Sequence, residues 1–160
     1  NRGLTQTLPT VAAMKEGHKV LFLDFASHPE AILWRFQSLG CDMTLVENNL
    51  KHVEFRTDKT MKAAQKWAAI HRPALTVLDS IPKAMGAEGL NDDLPSDFLK
   101  FSHTRIQPFV SSGSAVLLLD QTIKKSDSNG ASPAERVPRR MTSVARCLSS
   151  CQINLSNQKR

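Results

Sequence analysis

Short unbroken apolar runs alternate along this chain with longer stretches in which apolar residues recur every three or four positions. Residues 5–16, "TQTLPTVAAMKE", predict a helix with Pro9 near its first turn and Gly17 as its stop. Residues 18–25, "HKVLFLDF", predict a strand covered on both faces, as in parallel sheets. In "PEAILWRFQSLG" (29–40), Ile32, Leu33, Phe36 and Leu39 lie at helical spacing and Gly40 supplies the stop. A weaker strand is predicted at 51–55, "KHVEF". Residues 58–71 predict a helix with Asp58 as its cap and Met61, Ala64, Trp67 and Ala68 on one side. Arg72-Pro73 breaks that helix, and "ALTVLD" (74–79) is a second buried strand.

A connection rich in Gly, Asp and Asn covers 80–94. Pro95 and Ser96 open a helix through Val110, with Phe98, Phe101 and Ile106 facing inward. Ser111-Ser112-Gly113 turns the chain into "SAVLLLDQT" (114–122), the most hydrophobic strand. Residues 124–138 read as loop, and 141–155 read either as a helix or as a strand pair. This alternation predicts an α/β fold, a parallel sheet with helices on both faces joined by right-handed crossovers. Ligands in such sheets bind beyond the carboxyl ends of the strands. Three predicted strands end in "LD", at Asp24, Asp79 and Asp120. A carboxylate preorganised at a strand end can hold the water shell of Mg²⁺, so "LTVLDS" reads as a Walker B type strand ending in Asp79. Capping of the following turn is the alternative role for Asp79.

Composition narrows the class. At 160 residues, 41% hydrophobic and 22% charged, the chain has the make-up of one folded domain. The longest apolar runs are far short of the roughly 20 residues that cross a bilayer, and no signal segment opens the chain. The expectation is therefore a cytoplasmic protein with no membrane partner. Cys41, Cys147 and Cys151 are too few and scattered for a disulfide framework and lack neighbouring ligands for a metal. The net charge is +6, and the stretch 136–160 holds six Lys/Arg and no acid. Arg136, Arg139 and Arg140 head that stretch, which either meets the phosphates of a nucleotide or nucleic acid or is a solvated end. There is no tyrosine, and no aromatic residues interleave with the basic ones as in single-strand binders. His28 and His103 read as surface residues. "SSGSA" precedes a strand and lacks the G-x-S-x-G arrangement of a nucleophile elbow.

Over about residues 3–150 the chain resembles the RecA-like P-loop ATPases, and within them the helicase-like AAA-type ATPases related to replicative helicases and plasmid replication proteins. Three stretches carry the resemblance: "GHKVLFLDFASHPEAILWRFQSLG", "RPALTVLDSIPKAMGAEGLNDDLPSDFLKF" and "SGSAVLLLDQTIKK". It implies a RecA-like domain over 1–150, followed by a basic tail over 151–160. It also implies ATP and Mg²⁺ as cofactors and a homo-oligomer as the assembly.

The family's phosphate loop, G-x-x-x-x-G-K-[ST], would leave only Gly3-Leu4-Thr5 in this chain, directly before the first helix. Its earlier part and the strand before it would precede Asn1. Gly3 would lie at the phosphates, Thr5 would reach Mg²⁺, and Leu4 stands where the family has its phosphate-binding Lys. Asp79 would be the Walker B acid. Gln121 would be the polar sensor, and Lys124 or Lys125 a phosphate contact. Where the family has "DFE", with a Glu that polarises the attacking water, this chain has Asp24-Phe25-Ala26. The resemblance thus implies a degenerate ATP-binding domain with weak or no hydrolysis. The alternative is a non-enzymatic module that binds DNA or another subunit through its basic end. A different doubly wound enzyme fits poorly, because no strand is followed by a glycine-rich turn.

Overall fold

The computed structural model describes residues 2–25, 29–55 and 57–119. Helix α1 (Arg2–Lys15) leads into β1 (Val20–Asp24) and α2 (Pro29–Ser38). Helix α3 (Met43–Asn49) then runs directly into β2 (Leu50–Glu54), which is followed by α4 (Asp58–His71) and β3 (Leu75–Asp79). Helix α5 (Ile81–Gly86), α6 (Pro95–Phe101), π-helical turns (Ser102–Ile106), α7 (Gln107–Ser111) and β4 (Ala115–Leu119) complete the order. The four strands form one sheet, ordered β2-β1-β3-β4, and every pair is parallel. The expected α/β fold with helices on both faces is therefore present.

Strand β1 is buried along its whole length because each face of it is covered. Val20 and Phe22 point to the α1–α3 side and pack with Met14, Ile32, Phe36 and Val46. Leu21 and Leu23 point to the α4–α7 side and pack with Met61, Ala64, Phe101 and Phe109. Each of these four β1 side chains contributes roughly 1.5–3 kcal/mol by leaving water. The turn into β1 needs a left-handed residue, and Gly17 takes it at φ 80.

Several boundaries differ from the sequence reading, each for a local reason. Helix α1 begins at Arg2, so Gly3–Thr5 lie within its first turn rather than ahead of it, and Pro9 is interior. In α2 only Ile32 and Phe36, four apart, reach the core, while Leu33 and Leu39 are exposed. Ten residues give one i,i+4 stripe against the sheet and no second one. The cap of α4 is Thr57, which forms a reciprocal capping box with Thr60; Asp58 is already helical. Helix α5 replaces expected loop, and α3 fills a stretch to which the sequence assigned no element, its Asp42 cap accepting from the Thr44 N–H at 2.9 Å.

The helix predicted from 96 to 110 is interrupted by the π turns. Phe101 and Ile106 are five residues apart and would lie about 140° apart on an α-helix. The i to i+5 closure, seen in the Gln107 N–H donating to the Ser102 carbonyl, brings both to the core. Pro108 cannot donate to the turn before it. Gln65 on α4 supplies a donor there instead, giving its amide N–H to the Thr104 carbonyl at 3.2 Å.

The same turns position Arg105. Its guanidinium Nη1 lies 2.6 Å from Asp58 Oδ1, and its Nε lies 2.7 Å from Glu88 Oε1. The second contact is a close ion pair rather than an aligned hydrogen bond. Burial pulls the Arg105 pKa down, but the Glu88 and Asp58 carboxylates outweigh it and hold it above the ordinary value. The Asp58 carboxyl is held below its usual 3.8, first by the hydrogen bond from Lys62 and then by that from Arg105. A lowered folded-state value stabilises the fold fully above about pH 4, and this stability is lost as pH falls through the lowered value. Melting curves between pH 5 and pH 2 should therefore show a shallower acid-induced fall in Tm for Arg105→Gln than for the natural chain. Equal slopes would show that the pairing carries no acid sensitivity.

Candidate nucleotide site at the carboxyl edge of the sheet

The strand register decides which side chains meet at the edge. Asp24 pairs with Glu54 on one side and with Asp79 on the other. Paired residues of parallel strands share a face, and neighbouring strands lie about 4.8 Å apart. Glu54, Asp24 and Asp79 therefore form a row across three strands on the face covered by α1–α3. The backbone closes this row from above, with Phe25 N–H donating to the Asp79 carbonyl at 2.7 Å and Phe55 N–H to the Asp24 carbonyl at 2.8 Å. The Phe25 and Phe55 rings stack with centroids 4.3 Å apart.

Asp24 is fully buried, and a buried carboxylate is costly unless partnered. Its Oδ2 lies 3.4 Å from His52 Nε2, and the His52 ring in turn packs near Phe22 with centroids 6.2 Å apart. Glu54 and His52 escaped the sequence reading as site residues. The signal for Glu54 was the repeated ending, Asp24-Phe25 and Glu54-Phe55. His52 had no signal beyond lying two residues before Glu54 on the same strand face.

Helix α1 brings the chain's start to the same edge. Its 14 residues span ~21 Å, slightly more than a five-residue strand. A tight turn at 16–19 reverses the chain into β1, so the first turn of α1, Gly3–Thr5, lies toward the carboxyl ends of β1 and β3, against which the helix packs. The first N–H groups of a helix have no intrahelical acceptor and favour anions.

Ser80 follows Asp79 across a cis peptide bond and caps α5 only through its backbone, its carbonyl accepting from the Ala84 N–H at 3.0 Å. The Ser80 side chain is fully buried, and its hydroxyl makes no hydrogen bond among the described residues.

The structure thus brings Gly3, Thr5, Asp24 and Asp79 to one edge. Ala26, His28, Asp120, Gln121, Lys124, Lys125, Arg136, Arg139, Arg140, Cys147 and Cys151 lie outside the described residues, as does the segment 141–155. His103 is exposed on the π turns, as expected, and Cys41 is a free, half-buried thiol. No described helix is long and apolar enough to cross a membrane.

A scan against protein-family models and a search of the curated proteins found no match. Among solved structures the chain is similar to a KaiC-like protein from the hyperthermophilic archaeon Pyrococcus horikoshii OT3, with a TM-score of 0.51 and 17% identity. The match covers 68% of this chain and 50% of that one, so the chain spans about half the length of its structural neighbour. At that identity the likeness shows the fold, which is RecA-like.

The Asp24–His52 contact is directly testable. A double-mutant cycle of Asp24→Asn and His52→Ala, followed by urea denaturation, should give a coupling of about 1 kcal/mol. Additive effects would show that the imidazole does not support the buried carboxylate.

Proposed function

We propose that the chain is the nucleotide-binding core of a RecA-like ATPase of the helicase-like, replication-associated type, and that it binds Mg·ATP weakly and turns it over slowly or not at all. The observation that carries the reading is the placement of Asp79, in register with Asp24, at the edge where α1 begins. The fit to a hydrated cation is good. Among the described residues no three His, Cys, Asp or Glu side chains converge as direct metal ligands. Mg²⁺ typically keeps several waters and needs one or two carboxylates beside the phosphates, and Asp79 supplies that kind of contact. The Thr5 hydroxyl is the second group assigned to the cation, and the first turn of α1 with Gly3 is assigned to the phosphates.

The weakness follows from two residues. Leu4 offers no ammonium to the phosphates, which removes a charge-assisted hydrogen bond of about 1.5–3 kcal/mol. Ala26 offers a methyl group where a base or water-orienting carboxylate would act. Bound ATP would supply a γ-phosphate open to attack, while this chain's own groups bind and orient it without activating the water.

Calorimetric titration with Mg·ATP tests the reading. Leu4→Lys should tighten binding about tenfold or more, and Asp79→Ala should remove the Mg²⁺ dependence. Failure of both the natural chain and Leu4→Lys to bind would leave the fold without this function.

A further inference from the structure

Among the described residues, four buried side-chain nitrogen or oxygen atoms make no hydrogen bond. Two belong to the Arg105–Glu88 ion pair, one is Arg35 Nη1 on α2, and the fourth is the Ser80 hydroxyl. Only the last stands at the carboxyl edge, one residue after Asp79. A buried hydroxyl without a partner costs stability, and native structures retain few such groups. Serine at a helix N-cap ordinarily repays its place by accepting a bond from the first turn, yet Ser80 makes no such bond to α5. An alanine there would leave the backbone cap intact, since the Ala84 N–H is bonded to the Ser80 carbonyl.

We infer that the Ser80 hydroxyl is a second anchor for the hydrated divalent cation of a bound nucleoside triphosphate, accepting a hydrogen bond from a cation-bound water beside the one held by Asp79. The inference rests on the nucleotide reading above and adds a residue to it. A hydroxyl suits the task because its oxygen accepts a hydrogen bond from water without carrying a charge of its own. Ser80 is fully buried in this structure, and its single side-chain torsion has three staggered positions for the oxygen. Ser80 is a positioning residue on this account: it orients water and cation, and no bond to it forms or breaks.

The test is calorimetric titration of the full chain and of Ser80→Ala with ATP, once in Mg²⁺ and once in EDTA, with melting curves of both proteins free of nucleotide. Ser80→Ala should bind Mg·ATP about tenfold more weakly, bind ATP in EDTA as the natural chain does, and melt no lower than it. Equal affinity for Mg·ATP would overturn the assignment of Ser80 and leave the nucleotide reading standing. A lower apo melting temperature would overturn it as well, because that is the mark of a lost cap. Absence of Mg·ATP binding by the natural chain would overturn the nucleotide reading itself, and the Ser80 assignment with it.

Discussion

The parallel pairing of β1 with β2 on one side and β3 on the other carries two burdens at once. Its four apolar residues tie the two layers of helices together, since successive side chains enter opposite cores. Its last residue, Asp24, then fixes the register in which Glu54 and Asp79 stand beside it. A slip of one residue in either pairing would turn the partner strand's apolar set to the wrong face. The same packing that stabilises the sheet therefore holds the acidic row in line, and the edge chemistry is inherited from the core.

The helices extend that logic to the carboxyl edge. Helix α1 is longer than the strand it precedes, and buried Met14 and the turn at Gly17 fix its far end, so its first turn lies toward the carboxyl edge. On the opposite face, the π turns bring Ile106 to the core and carry Arg105 to Asp58 and Glu88. That network joins α4 to the segment following α5, the helix that begins directly after Ser80.

Much of this was legible in the sequence. The continuous runs at Val20–Asp24 and Leu75–Asp79 identified buried parallel strands, because only strands covered on both faces omit the polar alternation. The Asp79 edge was legible for the same reason. Strand β2 was seen only weakly: it lies at the sheet's edge, and Lys51 and His52 interrupt its apolar pattern. Glu54 was missed with it. Helices α3 and α5, of seven and six residues, are too short to show a period, and they stand through a cap and through contact with the sheet. The orphaned hydroxyl of Ser80 has no sequence signal at all, because burial and the lack of a partner exist only in three dimensions.

The central claim is that a phosphate-bound cation sits at the carboxyl edge, between the first turn of α1 and the end of β3. Paramagnetic broadening of backbone amides in the ¹⁵N-labelled full chain by Mn·ATP reads that position directly. The account predicts broadening at Asp24, Asp79, Ser80 and the first turn of α1, with Val20, Leu75 and Ala115 at the opposite edge left sharp. Broadening centred on that opposite edge, or spread evenly over the sheet, would contradict it.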